Sequence, residues 1–143
     1  MPNPATSTDY YFDAITSELL KDPKPGYTFP DTLYLALFTL RPGLSGSPTG
    51  TEVTGGSYAR VPIARGGWTG PSGVNREWTN TAQLTFETPT ADWGSIIAGG
   101  LYDALTAGHL LFICNITTPR AVSYGDGAPR VLANALKISR ATC

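Results

Sequence analysis

Thr32-Leu33-Tyr34-Leu35-Ala36-Leu37-Phe38-Thr39, residues 32–39, is the stretch on which the fold turns. In an extended chain Leu33, Leu35 and Leu37 fall on one side, and Tyr34, Ala36 and Phe38 on the other. Apolar residues on both sides mark a strand buried on both faces. Residues 109–116 (HLLFICNI) repeat the pattern. Both runs have strand length and are far too short to span a bilayer.

Upstream of the first run, Thr8 is placed to cap a helix over 9–20, with Asp9 favourable to the helix dipole. Tyr11, Ile15 and Leu19 recur at four-residue steps beside Phe12, so the helix reads as an amphipathic lid. Asp22-Pro23-Lys24-Pro25-Gly26 ends it. Residues 1–8 are small, polar and Pro-containing and read as a flexible arm ahead of a single domain over 9–143. They show no basic region followed by an apolar core, so no secretory leader is expected.

Downstream, residues 41–56 are rich in Gly, Ser, Thr and Pro and read as a surface loop without a packing signal. Residues 58–63 follow as a strand in which Pro62 favours an edge or a bulge. Residues 66–73 read as a second loop, carrying Trp68 among glycines, and residues 76–79 as a strand. Residues 83–87 alternate, with Leu84 and Phe86 inward and Glu87 outward. A strand over 95–102 and a hairpin-like link over 103–108 lead into 109–116, which Thr117-Thr118-Pro119 is expected to break. A short strand near 121–123, a turn at 124–127 and a last Ala-rich strand over 130–138 complete the pattern. About seven or eight short strands with regular turn signals predict a mainly-β fold, an antiparallel sandwich of Greek-key or jelly-roll type with one N-terminal helix.

Composition agrees. Gly (16) and Pro (12) are too frequent for a helical bundle, and an apolar share of 41% is too high for a disordered chain. The 15% of charged residues is low, which fits either a polar, uncharged β-surface or a surface covered by neighbours in an assembly. A net charge of −1 gives no broad footprint for nucleic acid or an anionic membrane, so neither is expected as a partner.

Candidate chemistry is sparse. His109 is the one histidine and opens a strand after Gly108, where a surface position at a turn exit is expected. With two cysteines, Cys114 and Cys143, it makes no convergent metal set, and no cofactor is expected. Cys114 reads as a small core hydrophobe; a bond between it and Cys143, or between subunits through Cys143, stays open. Gly94-Ser95-Ile96 lacks the pattern of a nucleophile elbow. Glu87 and Asp92, flanking a turn next to Trp93, are the natural carboxylate pair for glycoside cleavage. The plainer reading makes Glu87 an outward strand residue and Asp92 a turn cap. Gly66, Gly67, Gly70 and Gly73 do not have phosphate-loop spacing. Asn115-Ile116-Thr117 matches a glycosylation acceptor at a strand end. Tyr10, Tyr11, Trp68, Trp78 and Trp93 suit either a sugar platform or, preferably, a protein interface, with Arg60, Arg65 and Arg76 to pair with a partner's carboxylates.

Five segments, TLYLALFT (32–39), TEVTGGSYARVPI (51–63), NTAQLTFETPTADWGSI (80–96), GGLYDALTAGHLLF (99–112) and AVSYGDGAPRVLANALKI (121–138), resemble in order a widespread family of short tailed-bacteriophage virion proteins, tail fibre-like or structural. The chain departs from that pattern in its N-terminal arm and in the loops around 41–50 and 66–78. The resemblance supplies no catalytic residue and implies a non-enzymatic protein of the virion, assembled in the host cytoplasm. Its first expected role is a capsid decoration or cement protein on the major capsid protein. The second is a tail fibre or baseplate-tip protein binding a host receptor or glycan. Other tail proteins and further copies of the chain are the remaining candidate partners.

Overall fold

A computed structural model describes residues 6–43 and 50–139. The first half holds β1 (Thr6–Ser7), α1 (Asp9–Leu20), β2 (Thr32–Leu40), β3 (Thr51–Glu52), β4 (Val61–Ala64) and β5 (Trp68–Ser72). The second holds β6 (Glu77–Asn80), β7 (Leu84–Thr85), β8 (Gly94–Tyr102), β9 (Leu110–Val122), β10 (Arg130–Val131) and β11 (Lys137–Ile138). The large sheet runs β1-β9-β8-β2-β3, with β4 also on β2. Two small antiparallel sheets, β10-β7 and β11-β6-β5, complete a mainly-β, sandwich-like fold with one helix near the N-terminus.

The double-sided reading of β2 is realised. Leu35 and Leu37 enter a core with Leu101 and Cys114 of the same sheet and with Leu84, Phe86, Trp93 and Leu136 beyond it. Trp68, Val131 and Ile138, one from each of three small-sheet strands, pack on that cluster. Ala36 and Phe38 point the other way, into a second cluster with Ala98 and Tyr102. Gly100 belongs to this side: a Cβ there would come within 2.6 Å of Leu110 and 2.9 Å of Phe38. The Gly99-Gly100 pair is therefore a close approach of strand and side chains, which a methyl group would block.

Several expectations change. Thr117-Thr118-Pro119 does not end the strand. Ile96 pairs with Arg120 and Ala98 with Asn115, so four residues of β9 oppose the single Ile97. The proline sits in this bulge, where no ladder N–H is required of it. Residues 41–56 are not all loop. Thr51–Glu52 pairs with the end of β2, and Val53 is buried, its N–H donating to Leu37 O at 3.0 Å. The residues expected as a loop over 66–73 contain β5, which forms a hairpin with β6.

The expected strand over 130–138 is split into β10 and β11, because Asn80 bends the chain between them. Its fully buried side chain donates to Ala82 O (2.8 Å) and Leu132 O (3.0 Å) and accepts from Leu136 N (2.9 Å). Asn134 lies at φ 63°, a left-handed turn that asparagine tolerates. Pro62 is on an edge strand as anticipated, since β4 pairs with β2 alone.

At the N-terminus, Thr6–Ser7 pairs with Ile113 and Phe112. Thr8 is buried, donating its N–H to Leu111 O (2.8 Å) and its hydroxyl to Leu110 O (2.6 Å) while capping α1. Residues 6–8 of the expected arm are thus sheet-bound; residues 1–5 lie outside the described ones. The helix spans its expected residues, but none of them is buried. Most of its stripe is exposed rather than closed over a core, with Phe12 60%, Ile15 38% and Leu19 79% accessible, while Tyr11 is half-buried and rests on Phe112.

Candidate functional site

The residues singled out for chemistry disperse in the structure. His109 is exposed at the turn exit; its N–H donates to Asp103 Oδ1 (2.7 Å), Nδ1 lies 3.2 Å from Oδ2, and its ring stacks on Tyr10. Glu87 is exposed, and Asp92 accepts the Tyr124 N–H at 2.7 Å, which ties its turn to the one at 123–126 rather than capping its own. Among the described residues no three His, Cys, Asp or Glu side chains gather as metal ligands. Asn115 is half-buried and accepts from Arg41 Nε.

Trp93 is core. It is 5% exposed, and its Nε1–H donates to Gly56 O at 3.0 Å. Arg60, expected to face a partner, is buried too. It forms a two-point ion pair with Glu52, donates to Ala104 O and Ala107 O, and lies 3.5 Å over the Tyr102 ring. Burial works against its charge, but the bond to Glu52 and the carboxylate's field outweigh that and raise its pKa. Arg76 turns the β5–β6 hairpin at φ 53°.

Cys114 is buried and free; Cys143 lies outside the described residues. Burial pushes the Cys114 thiol from 9.0 up to about 11, against a smaller opposing effect of the Gly99 backbone. An unfolded chain ionises this thiol near pH 9, while the folded chain keeps it neutral to about 11. Its contribution to stability is therefore complete below pH 9 and is lost as pH rises towards 11. Chemical denaturation between pH 8 and 11 should show Cys114→Val losing stability less steeply than wild type; equal slopes would refute this account.

What the fold does bring together is an aromatic cleft. Tyr11 of α1, Phe29, Leu33 of β2, Ile63 of β4, Trp68 of β5 and Phe112 of β9 line a space of about 430 Å³. The rings brace one another: Tyr11 lies 5.0 Å from Phe112 and 6.5 Å from Tyr27, which meets Phe29 edge-on at 5.1 Å. Burial raises the Tyr11 hydroxyl pKa, and burial with Tyr10, Tyr11 and Asp103 nearby raises that of Tyr27 to about 12. Both phenols stay neutral at physiological pH.

The mouth is charged. Arg65 Nη2 lies 3.0 Å from Asp31 Oδ1, both side chains are largely exposed, and the Arg65 N–H donates to Asp31 O at 2.7 Å. Of the three tryptophans, Trp68 alone lines this cleft; Trp78, on β6, is 40% exposed and does not. Phe29, Asp31 and Phe112 escaped the sequence reading. The aromatic pair Tyr27 and Phe29, spaced two apart in an otherwise polar linker, was the available signal.

The cleft and the sheet around it fall within a match to a known family. Residues 7–139, nearly the whole chain, match the family model described as Podophage GP4 fiber I protein gp80. No curated protein matches the chain.

Proposed function

The chain belongs to the family of the podophage GP4 fiber I protein gp80, and on that premise we propose that it is a fibre component of the virion that holds a host-surface saccharide in its aromatic cleft. The observation that carries this is the meeting of Trp68 and Phe29 with the solvent-facing Arg65–Asp31 pair at one mouth. A pyranose has an apolar C–H face, which rests on an aromatic ring, and a rim of hydroxyls. A carboxylate and a guanidinium satisfy that rim with charge-assisted hydrogen bonds. Trp68 is fixed by the β5–β6 hairpin, so little side-chain freedom is lost on binding. A shallow cleft of this kind binds weakly, and repetition over several fibres raises the effective affinity.

Titration calorimetry with oligosaccharides from the host envelope tests the reading. Trp68→Ala should abolish binding, and Asp31→Asn, at an exposed position, should weaken it by about tenfold. Trp78→Ala should leave it unchanged. Binding by Trp68→Ala equal to wild type would remove the cleft from consideration. The capsid-cement reading rests on small size, a sandwich fold, low charge, a polar N-terminal arm and loops rich in Trp and Arg, and the family match supports the fibre role instead. A copy number per particle on the scale of the capsid lattice would reverse that preference.

A further inference from the structure

A second groove lies away from the cleft and shares no lining residue with it. It runs between the bulged part of β9 and the β10 segment, encloses about 300 Å³, and is walled by Ile96, Ile116, Val131 and Leu132. Leu132 is 60% exposed. Arg120 and Arg130 also line it, both are exposed, and neither makes an ion pair among the described residues.

The same chain carries the complementary feature. Phe12, Ile15 and Leu19 form one exposed apolar row on α1, at the three- and four-residue spacing of a helix face. Asp9 and Asp13, one turn apart and both exposed, run beside that row, and α1 contains no Lys or Arg. An acidic-edged apolar helix thus answers an arginine-edged apolar groove.

We infer that the groove receives α1 of a second copy of this chain, with Phe12 and Leu19 inserted between β9 and β10 and Asp9 and Asp13 facing Arg120 and Arg130. Helix and groove share no residue, so each copy offers both: two copies that exchange helices about a two-fold axis close as a dimer, and a one-way contact passes from copy to copy into a ring or a chain. The helix suits this role because only its cap and the Tyr10 and Tyr11 side hold it to its own sheet.

Analytical ultracentrifugation over a concentration series tests the inference on the full chain. Wild type should associate. Leu19→Glu, which places a charge in the groove, and the double variant Arg120→Glu/Arg130→Glu should each dissociate roughly thirtyfold more readily or stay monomeric. All three positions are exposed, so thermal melts should match wild type. The decisive sample is the mixture: one variant retains a sound groove and the other a sound helix, so together they should form a one-to-one dimer and nothing larger. A monomeric wild type, or an arginine variant that assembles like wild type, would overturn the inference. Saccharide titrations of the same variants should be unaltered, which separates failure here from failure of the cleft reading.

Discussion

Trp93→Ala is expected to destabilise the fold by about 3–5 kcal/mol while leaving the binding surfaces of the surviving folded fraction intact. The indole is 5% exposed, stands edge-on to Tyr58 at 5.4 Å and to Phe86 at 6.4 Å, and bonds Gly56 O. Removing it opens a cavity among aromatic neighbours and takes away one of that carbonyl's two donors, leaving the Thr90 N–H at 3.0 Å. The indole is packed directly on the Gly56 backbone, where a Cβ would lie 2.8 Å from Trp93 Nε1, so its loss empties space against main chain as well as side chains. Guanidinium denaturation should show the midpoint falling with the slope unchanged. A variant with wild-type stability but impaired saccharide or self-association would show that Trp93 works at a surface after all.

Glu52→Ala is expected to cost about 2–4 kcal/mol, somewhat below the figure for a fully buried pair because the Glu52 side chain is 22% accessible. The carboxylate takes Arg60 Nε and Nη2 at 2.8 Å each and the Tyr58 hydroxyl at 2.9 Å. That hydroxyl in turn accepts the Leu37 N–H, between the stretches of β2 that pair with β3 and β4. Through Arg60 the same carboxylate fixes the turn at Ala104 and Ala107, which lie 44 and 47 residues from Arg60 in sequence. Without it a buried guanidinium has no counter-charge. A Glu52→Met/Arg60→Met double variant should be more stable than Glu52→Ala alone, because no orphan charge remains. Unfolding curves for the three proteins decide this, and a loss under about 0.5 kcal/mol for Glu52→Ala would reduce the pair to an ordinary surface contact.

These two sites show where sequence reading reaches its limit. Alternation is a local signal, so β2, the inward Leu84 and Phe86, the cap at Thr8 and the turn at 103–108 were all legible. Partnership across the chain is not local. Arg60 and Trp93 read as interface residues because their neighbours in sequence, Ala59 and Val61 for one and Asp92 and Gly94 for the other, carry no sign of their neighbours in space, Tyr102, Glu52, Tyr58 and Phe86. Pro119 read as a strand end because nothing local says that four residues can loop out opposite one. The cleft shows both sides: Trp68 was legible as a candidate contact residue, though it sits on β5 and not in a loop, but Tyr11, Phe29, Ile63 and Phe112 come from separate segments that only the sheet gathers.

The bulge in β9 also limits what its outer edge can pair with. Beyond Ile113 its outer edge has no strand partner among the described residues, and such an edge ordinarily recruits the backbone of another molecule. Here Pro119 withholds a donor, and the interrupted register prevents an incoming strand from zipping along the edge. At the crowded concentrations of an assembling particle, indiscriminate backbone pairing is thereby suppressed. Side chains are left to choose the neighbour, and a choice made by side chains can be specific and can stop at a defined number of copies.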